Sequence, residues 1–124
     1  METIRSFEDL DCWKACTDFR RYVRKLIRKF RAEEKYALIS QMRRASRSIT
    51  NNIAEGSGSL SSNDFANFLN TARRSTFEVA NILFLLSKDD YIDKQCLELA
   101  IPELEEESKM ILAFIRTLKS APGD

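Results

Sequence analysis

The chain has 124 residues, of which 44% are hydrophobic and 31% are charged, which suits one domain with a packed core and excludes a disordered chain. It contains no histidine, and this excludes the commonest general base, the commonest transition-metal ligand and every Ser-His or Cys-His nucleophile pair. The net charge of +1 combines net +5 over residues 1–62 (13 Lys/Arg, 8 Asp/Glu) with net −4 over residues 63–124 (7 and 11), so a neutral total does not exclude a basic face.

Four segments carry apolar or small residues at alternating spacings of three and four, the pattern of helices packed in a bundle. Only three glycines and two prolines interrupt the chain, and short polar links imply antiparallel neighbours. We therefore predict an all-α, antiparallel up-down-up-down four-helix bundle. It forms a single domain, 1–124, with helices at about residues 8–30, 33–55, 62–87 and 93–119.

Helix 1 carries seven basic residues and no acid between Arg20 and Arg31. They surround the face opposite its apolar ladder, and arginines on helices 2 and 3 add to them. Neighbouring like charges on such a surface repel one another. One interpretation is that helix-4 glutamates or a polyanion neutralise it. The other, which fits the sequence equally well, is an ordinary solvated charged face. The candidate nucleic-acid-binding residues are Arg20, Arg21, Arg24, Lys25, Arg28, Lys29, Arg43, Arg44, Arg47, Arg73 and Arg74.

The stretch NNIAEGSGSLSSNDF, residues 51–65, joins helices 2 and 3. It lacks the third glycine of a dinucleotide-binding loop and the lysine of a P-loop, and it follows a helix rather than a strand. Gly56 is expected at the helix-2 C-terminus, where positive φ is tolerated, and Ser61 is expected as the next N-cap. Asn52 falls on the helix-2 apolar ladder. We predict that Asn52 and Glu55 satisfy backbone or side-chain donors at this corner or across a subunit boundary.

Helix 3 has more apolar surface than one packed face requires. Phe77 and Phe84 lie seven residues apart on one face, and Leu69, Thr76 and Leu83 form another stripe. A helix that is apolar over most of its circumference is central or packs on a second chain, so we predict a homo-oligomer with Phe77 and Phe84 in its interface. The alternative is a wide core with a few exposed apolar side chains.

Helix 4 contains Pro102, which either kinks the helix or begins a new one after a first turn. The unbroken heptad pattern favours one kinked helix, for which Asp93 is a plausible N-cap. A glutamate cluster flanks Leu104, and no Glu-x-x-His di-iron pair is present. Its members are predicted to form a solvated face: Glu103, Glu105, Glu106 and Glu107.

The three cysteines do not form a metal site on spacing alone. Cys12 and Cys16 stand four residues apart, but a structural zinc needs four ligands and only Cys96 adds a sulfur. We read them as small core residues with reduced thiols. No cofactor and no metal are expected, and the absence of a signal peptide or a membrane-length apolar run favours a cytoplasmic protein.

Three strings carry a resemblance to a known family: SFEDLDCWKA, QMRRASRSITNNIAEGSG and SSNDFANFLNTARRSTFEV. They are similar to the four-helix-bundle proteins encoded within intervening sequences of bacterial 23S ribosomal RNA. Cys12 replaces the usual valine, and Arg73 and Arg74 stand where small or polar residues are common. The matching residues are Phe7, Leu10, Trp13, Ala15, Gln41, Arg43, Arg44, Ala45, Ser48, Ile49, Asn52, Ile53, Ala54, Glu55, Gly56, Phe65, Phe68, Leu69, Ala72 and Ser75.

The resemblance implies a homo-oligomeric ring, typically a pentamer, with no known enzymatic activity. A related bundle, the accessory variability protein of diversity-generating retroelements, resembles a basic barrel that binds a reverse transcriptase and nucleic acid. We therefore expect a non-enzymatic accessory protein that binds RNA or DNA through arginines. The alternative is a scaffold ring without direct nucleic-acid binding. An enzyme is the third hypothesis, with Glu55 as its one plausible acid or base.

Overall fold

The computed structural model describes residues 5–27 and 36–120, including all their side chains except those at positions 25–27. Within these ranges the chain is all-α. A short 3₁₀ helix, Ser6–Asp9, precedes four α-helices. Their bounds are α1 Asp11–Ile27, α2 Tyr36–Ser57, α3 Ser62–Lys88 and α4 Lys94–Lys119.

The helices pack as neighbours around one core. α2 packs on α3 and α3 on α4, while α1 contacts both α2 and α4; across the described ranges the two diagonal pairs make no close contact. This packing is consistent with a bundle in which each helix turns one face inward. The largest fully buried apolar side chains are Phe19, Val23, Met42, Ile49, Ile53, Leu69, Val79, Ile82, Leu83, Leu86 and Ile111.

The chain enters the bundle through its 3₁₀ helix. Phe7 packs edge-on against Trp13 with ring centroids 5.3 Å apart, which fixes this turn against the first turn of α1. The 3₁₀ helix ends at Asp9 and α1 begins at Asp11, three residues after its predicted start. The predicted end of helix 1 and the predicted start of helix 2 lie outside the described residues.

Side-chain caps begin the two C-terminal helices, as the sequence predicts. Ser61 Oγ accepts a hydrogen bond from the backbone N–H of Asp64 at 3.1 Å, and Asp93 Oδ1 accepts one from the N–H of Cys96 at 2.8 Å. Each oxygen satisfies a backbone donor that has no partner within its helix.

Pro102 lies within α4, which continues unbroken from Lys94 to Lys119. This confirms the preference for one helix over two. Proline removes the hydrogen bond to the carbonyl of Glu98, one turn earlier. Both residues are exposed, so water can solvate that carbonyl and the helix tolerates the proline.

Gly56 is needed for space, which corrects the prediction that it ends helix 2 by adopting positive φ. α2 continues to Ser57, and the φ angle of Gly56 lies outside the left-handed region. A Cβ on Gly56 would lie 2.8 Å from both Phe65 Cδ1 and Phe68 Cβ. The missing side chain therefore lets α2 approach α3 closely near the corner that joins them.

The extra stripe on α3 belongs to the core of the same chain. Leu69, Thr76 and Leu83 are all buried, so the wide-core reading holds for them. Phe77 and Phe84 remain 58% and 46% exposed. The apolar surface left for another molecule is therefore narrower than the sequence pattern suggested.

Candidate nucleic-acid interface

A groove between α1 and α2 brings together four of the predicted basic residues. Arg20 and Arg24 lie one turn apart on α1, and Arg43 and Arg47 lie one turn apart on α2. A spacing of four places each pair on one helix face. Val23 and Ser46 complete the lining, and the groove has a volume of about 480 Å³. We call these six residues the arginine groove.

Within residues 5–27 and 36–120, no ion pair joins an acid to the arginine groove. The only ion pair among the described residues joins Arg5 to Glu8, far from it in sequence, with Arg5 Nε 3.0 Å from Glu8 Oε1. Three of the four guanidinium side chains are exposed, and that of Arg20 is half-buried. Within the described residues of one chain, the alternative in which helix-4 glutamates neutralise these arginines is therefore not observed.

The floor of the groove consists of two buried residues, Val23 and Ser46, which are 1% and 2% exposed. The Ser46 hydroxyl is buried and makes no hydrogen bond to any described group. A buried hydroxyl without a partner costs free energy, about 1–3 kcal/mol. Sequence reasoning missed Ser46, although its position three residues after Arg43 and next to Arg47 places it on the same side of α2.

The remaining predicted basic residues lie elsewhere. Arg21 is exposed outside the groove, and the side chain of Lys25 and all of Arg28 and Lys29 fall outside the described residues. Arg44 lies on the neighbouring face of α2. There it lines a depression of about 350 Å³, and Arg47 is shared between this depression and the arginine groove. The other lining residues of the depression are Ser48, Asn51, Asn52 and Glu55.

Arg73 belongs to the other side of the bundle, so the predicted basic residues do not form one surface. It is half-buried, and its guanidinium carbon lies 5.1 Å from the centroid of the Phe77 ring. Its Nε is buried and has no hydrogen-bond partner among the described groups. Arg74, next to it, is exposed.

An apolar groove of about 390 Å³ lies on the surface where α3 packs on α4. Phe77, Ala80 and Phe84 line it from α3, and Ile101 and Leu104 line it from α4. Its polar lining residues are Arg73, Thr76, Glu105, Ser108 and Lys109. We call this surface the apolar groove.

The two polar residues of the corner, Asn52 and Glu55, differ in their burial and in their hydrogen bonds. Asn52 is half-buried beside the seam, which Ile53 occupies instead, because α2 follows the helical period of 3.6 rather than a strict heptad. Its Nδ2 donates to the Ser48 carbonyl at 2.8 Å and to Ser48 Oγ at 3.0 Å. The Ser75 hydroxyl donates to Ser48 Oγ at 3.0 Å, so these three residues connect α2 to α3.

Glu55 does not share in this network. It is exposed and makes no hydrogen bond or ion pair with the described residues of its own chain, so its predicted role at the corner is not seen there, and a contact across a subunit boundary stays a prediction. An exposed helix face offers the carboxylate water rather than a fixed donor.

Glu107 is buried, which corrects the prediction that the helix-4 glutamates form a solvated face. It is 2% exposed, because it follows Leu104 by three residues and precedes Ile111 by four, so it lies on the inward stripe of α4. Both carboxyl oxygens lack a hydrogen bond within the described structure. The heptad spacing of the sequence, four residues after Leu104, predicts Ser108 on this stripe instead, but Ser108 is only half-buried.

The surroundings of Glu107 keep it protonated near neutral pH. Burial, reinforced by the charge of Glu103, raises its pKa to about 8. The Cys16 thiol of α1 is close enough to act on the carboxyl, although no hydrogen bond of ordinary geometry joins them. Burial also raises the pKa of Cys12 to about 11 and that of Cys16 further. These thiols are therefore poor nucleophiles at neutral pH.

Other classes of site find no support in the residues that the structure describes. No cluster of three or more Cys, Asp or Glu side chains there has the arrangement of a metal site. No helix in the same ranges combines the length and apolar character of a membrane span.

The packing, the corner motif and the arginine groove can now be set beside known proteins. A search of curated proteins found no match. The family model described as 23S rRNA-intervening sequence protein matches residues 8–113, a range that includes α1, α2 and α3 in full, α4 as far as residue 113, and the six residues of the arginine groove. The chain therefore belongs to the 23S rRNA-intervening sequence protein family.

Proposed function

We propose that this protein is a non-enzymatic, homo-oligomeric nucleic-acid-binding protein whose arginine groove contacts the phosphates of RNA. The observation that carries the proposal is the gathering of four arginines, without an ion-pair partner among the described residues, in one groove between α1 and α2. Like charges held together repel one another, and a bound polyanion replaces this repulsion with attraction. The planar guanidinium also suits phosphate oxygens, which it binds through two parallel hydrogen bonds.

The groove suits contact with the backbone of a nucleic acid. Phosphate contacts hold a strand without reading its sequence, and helix spacing sets pairs of arginines about 6 Å apart along each helix. RNA is the expected ligand, with DNA as the second choice. A role as accessory factor to a nucleic-acid enzyme such as a reverse transcriptase, in the cytoplasm, fits a protein that binds nucleic acid without catalysis.

The proposed assembly is a ring, with a pentamer as the expected size, built from antiparallel up-down-up-down bundles. We assign the apolar groove to contact with a second copy of the chain. Phe77 and Phe84 are exposed there, and burying such rings between copies removes apolar surface from water. The rim carries Arg73 and Lys109 as well as Glu105, so two copies can pair opposite charges. A ring repeats the arginine groove, and repeated sites strengthen binding to a long strand.

Salt-dependent binding tests the proposal. A labelled single-stranded RNA and a DNA of the same sequence are titrated with protein at salt concentrations from about 50 to about 300 mM, and fluorescence anisotropy is read. We expect tight binding at low salt. A plot of the logarithm of the association constant against the logarithm of the salt concentration should fall with a slope of about −0.7 per phosphate contacted. No binding at the lowest salt, or binding that does not change with salt, would contradict the proposal.

The second candidate function is a scaffold ring that docks a protein partner without touching nucleic acid. The exposed apolar groove favours it, because such a surface serves protein contact rather than phosphate binding. Absence of RNA and DNA binding by an intact oligomer in light scattering would support this scaffold.

A further inference from the structure

The four arginines of the arginine groove surround a space rather than follow a line. Each helix contributes two of them at one-turn spacing, about 5–6 Å along the axis, and packed helices lie about 8–10 Å apart. The arrangement is therefore four-sided, with α1 on one side and α2 on the other. Such a cluster converges on one compact anion, whereas a strand that crosses a protein surface meets its phosphates one after another.

The floor of the groove supplies a further donor. Ser46 lies on the lining, is 2% exposed and leaves its hydroxyl without a hydrogen-bond partner among the described residues. Buried polar groups nearly always have partners, so an unpaired one marks a place where a ligand group can supply the acceptor. An anionic oxygen that reaches the floor would accept a hydrogen bond from this hydroxyl, while the guanidiniums contact the other oxygens of the anion.

We propose that the arginine groove is a binding site for a phosphomonoester dianion, such as the 5′-phosphate end of an RNA strand, with Ser46 as a donor at its floor. A monoester presents three acceptor oxygens and close to two negative charges at neutral pH. An internal phosphodiester carries one charge and two non-bridging oxygens. Four arginines and a hydroxyl match the monoester better. This inference rests on the proposed function for its RNA ligand, while the phosphate chemistry itself is shared with free phosphate.

Two RNA strands of one sequence test the inference, one ending in a 5′-phosphate and the other in a 5′-hydroxyl. We expect the phosphorylated strand to bind roughly tenfold more tightly in anisotropy titrations at physiological salt, which is about 1.4 kcal/mol. Inorganic phosphate should displace it at concentrations where chloride of equal ionic strength does not.

Two variants identify the groups responsible. Ser46→Ala keeps every charge, and because it removes an unpaired hydroxyl it should fold as stably as the original protein. It should reduce the preference for the 5′-phosphate roughly threefold or more. Ser57→Ala is the matched control: Ser57 is a buried serine of the same helix that donates to the Ala54 carbonyl at 2.7 Å, outside the groove. Arg24→Gln with Arg43→Gln should abolish the preference.

The outcomes separate this inference from the proposed function. Equal binding of the two strands contradicts the phosphomonoester site and leaves general RNA binding intact. If neither strand binds but inorganic phosphate raises the melting temperature of the original protein and not of the double arginine variant, the site stands and the RNA proposal is wrong. If neither strand binds and phosphate has no effect, both are wrong. An equal preference in the Ser46→Ala and Ser57→Ala variants removes Ser46 from the site.

Discussion

The two sides of this bundle place grooves of similar size between neighbouring helices, but they line them with opposite chemistry. The groove between α1 and α2 has about 480 Å³ and four arginines, whereas the groove between α3 and α4 has about 390 Å³ and two exposed phenylalanines. An arginine groove attracts anions through the surrounding water. The surface of an apolar groove contributes favourable free energy only when another surface covers it. One fold thus presents two surfaces that can be altered separately.

The two sides meet where α4 packs on α1, and Glu107 lies buried at that contact beside Cys16. Its pKa is raised from an ordinary 4.5 to about 8. Between these two values the folded protein holds a proton that the unfolded chain has released, so stability falls as pH rises. Below 4.5 both states hold the proton, and above 8 neither does. At about 1.4 kcal/mol per pH unit, the loss over this range is on the order of 5 kcal/mol.

Glu107→Gln should therefore flatten this dependence. We expect urea unfolding of the original protein to show stability declining from pH 5 to pH 8, and the variant to be more stable than the original protein at the upper end of that range. Glu106→Gln, at an exposed residue next to Glu107 on α4, serves as the control and should retain the decline. Equal slopes for the original protein and Glu107→Gln would show that another group controls it.

Charge reversal in the arginine groove should remove nucleic-acid binding and leave the assembly unchanged. Arg43→Glu with Arg47→Glu changes two exposed side chains of α2, and we expect RNA affinity at low salt to fall at least about 100-fold, with a shallower salt dependence. Anisotropy titration measures the loss, and light scattering measures the oligomer. Arg116→Glu with Lys119→Glu makes the same charge change at exposed positions of α4 and should have little effect. Dissociation of the ring in the α2 variant would instead assign these arginines to subunit contacts and favour the scaffold.

The contact of α2 with α3 joins the arginine groove to the helix that carries Phe77 and Phe84. Gly56→Ala should loosen it, because the new Cβ would meet Phe65 and Phe68 at 2.8 Å, and overpacking of this kind costs about 1–3 kcal/mol. Gly58→Ala is the control, since the nearest atom there is the Glu55 carbonyl oxygen at 3.5 Å. Urea unfolding should show a loss at position 56 and almost none at position 58. Equal stability of the two variants would show that α3 moves to accommodate the new Cβ without a loss of stability.

The sequence pattern was sufficient for the elements that depend on local chemistry. Four apolar ladders predicted four helices, and the Ser61 and Asp93 caps follow from short oxygen-bearing side chains ahead of apolar runs. The residues that face the core were harder to predict, because an α-helix has 3.6 residues per turn, whereas a heptad repeat assumes 3.5. Along α2 and α4 this small difference moved burial from Asn52 to Ile53 and from Ser108 to Glu107.

The candidate site was only partly predictable for a different reason. The sequence does not distinguish one arginine from another as a candidate for nucleic-acid binding. Which arginines lie together depends on which helices are neighbours and on how those helices face one another. That three-dimensional information placed Arg20 with Arg47 and Arg73 beside Phe77. Ser46 carries no charge or motif of its own, and only burial without a partner distinguishes it.

Removing the two rings from the apolar groove is the complementary change. Phe77→Ser with Phe84→Ser should leave the helical content unchanged, because both side chains are well exposed in the single chain. Assembly should weaken at least about tenfold, since each ring that a second copy covers contributes on the order of 1 kcal/mol of apolar burial. Light scattering across a dilution series measures this. Leu99→Ser, at an apolar α4 residue that is 61% exposed and outside the groove, should assemble normally. An unchanged oligomer in the double variant would place the subunit contact elsewhere. A dissociated chain that still binds a short RNA with single-site affinity would show that the two sides act independently, each groove performing its role without the other.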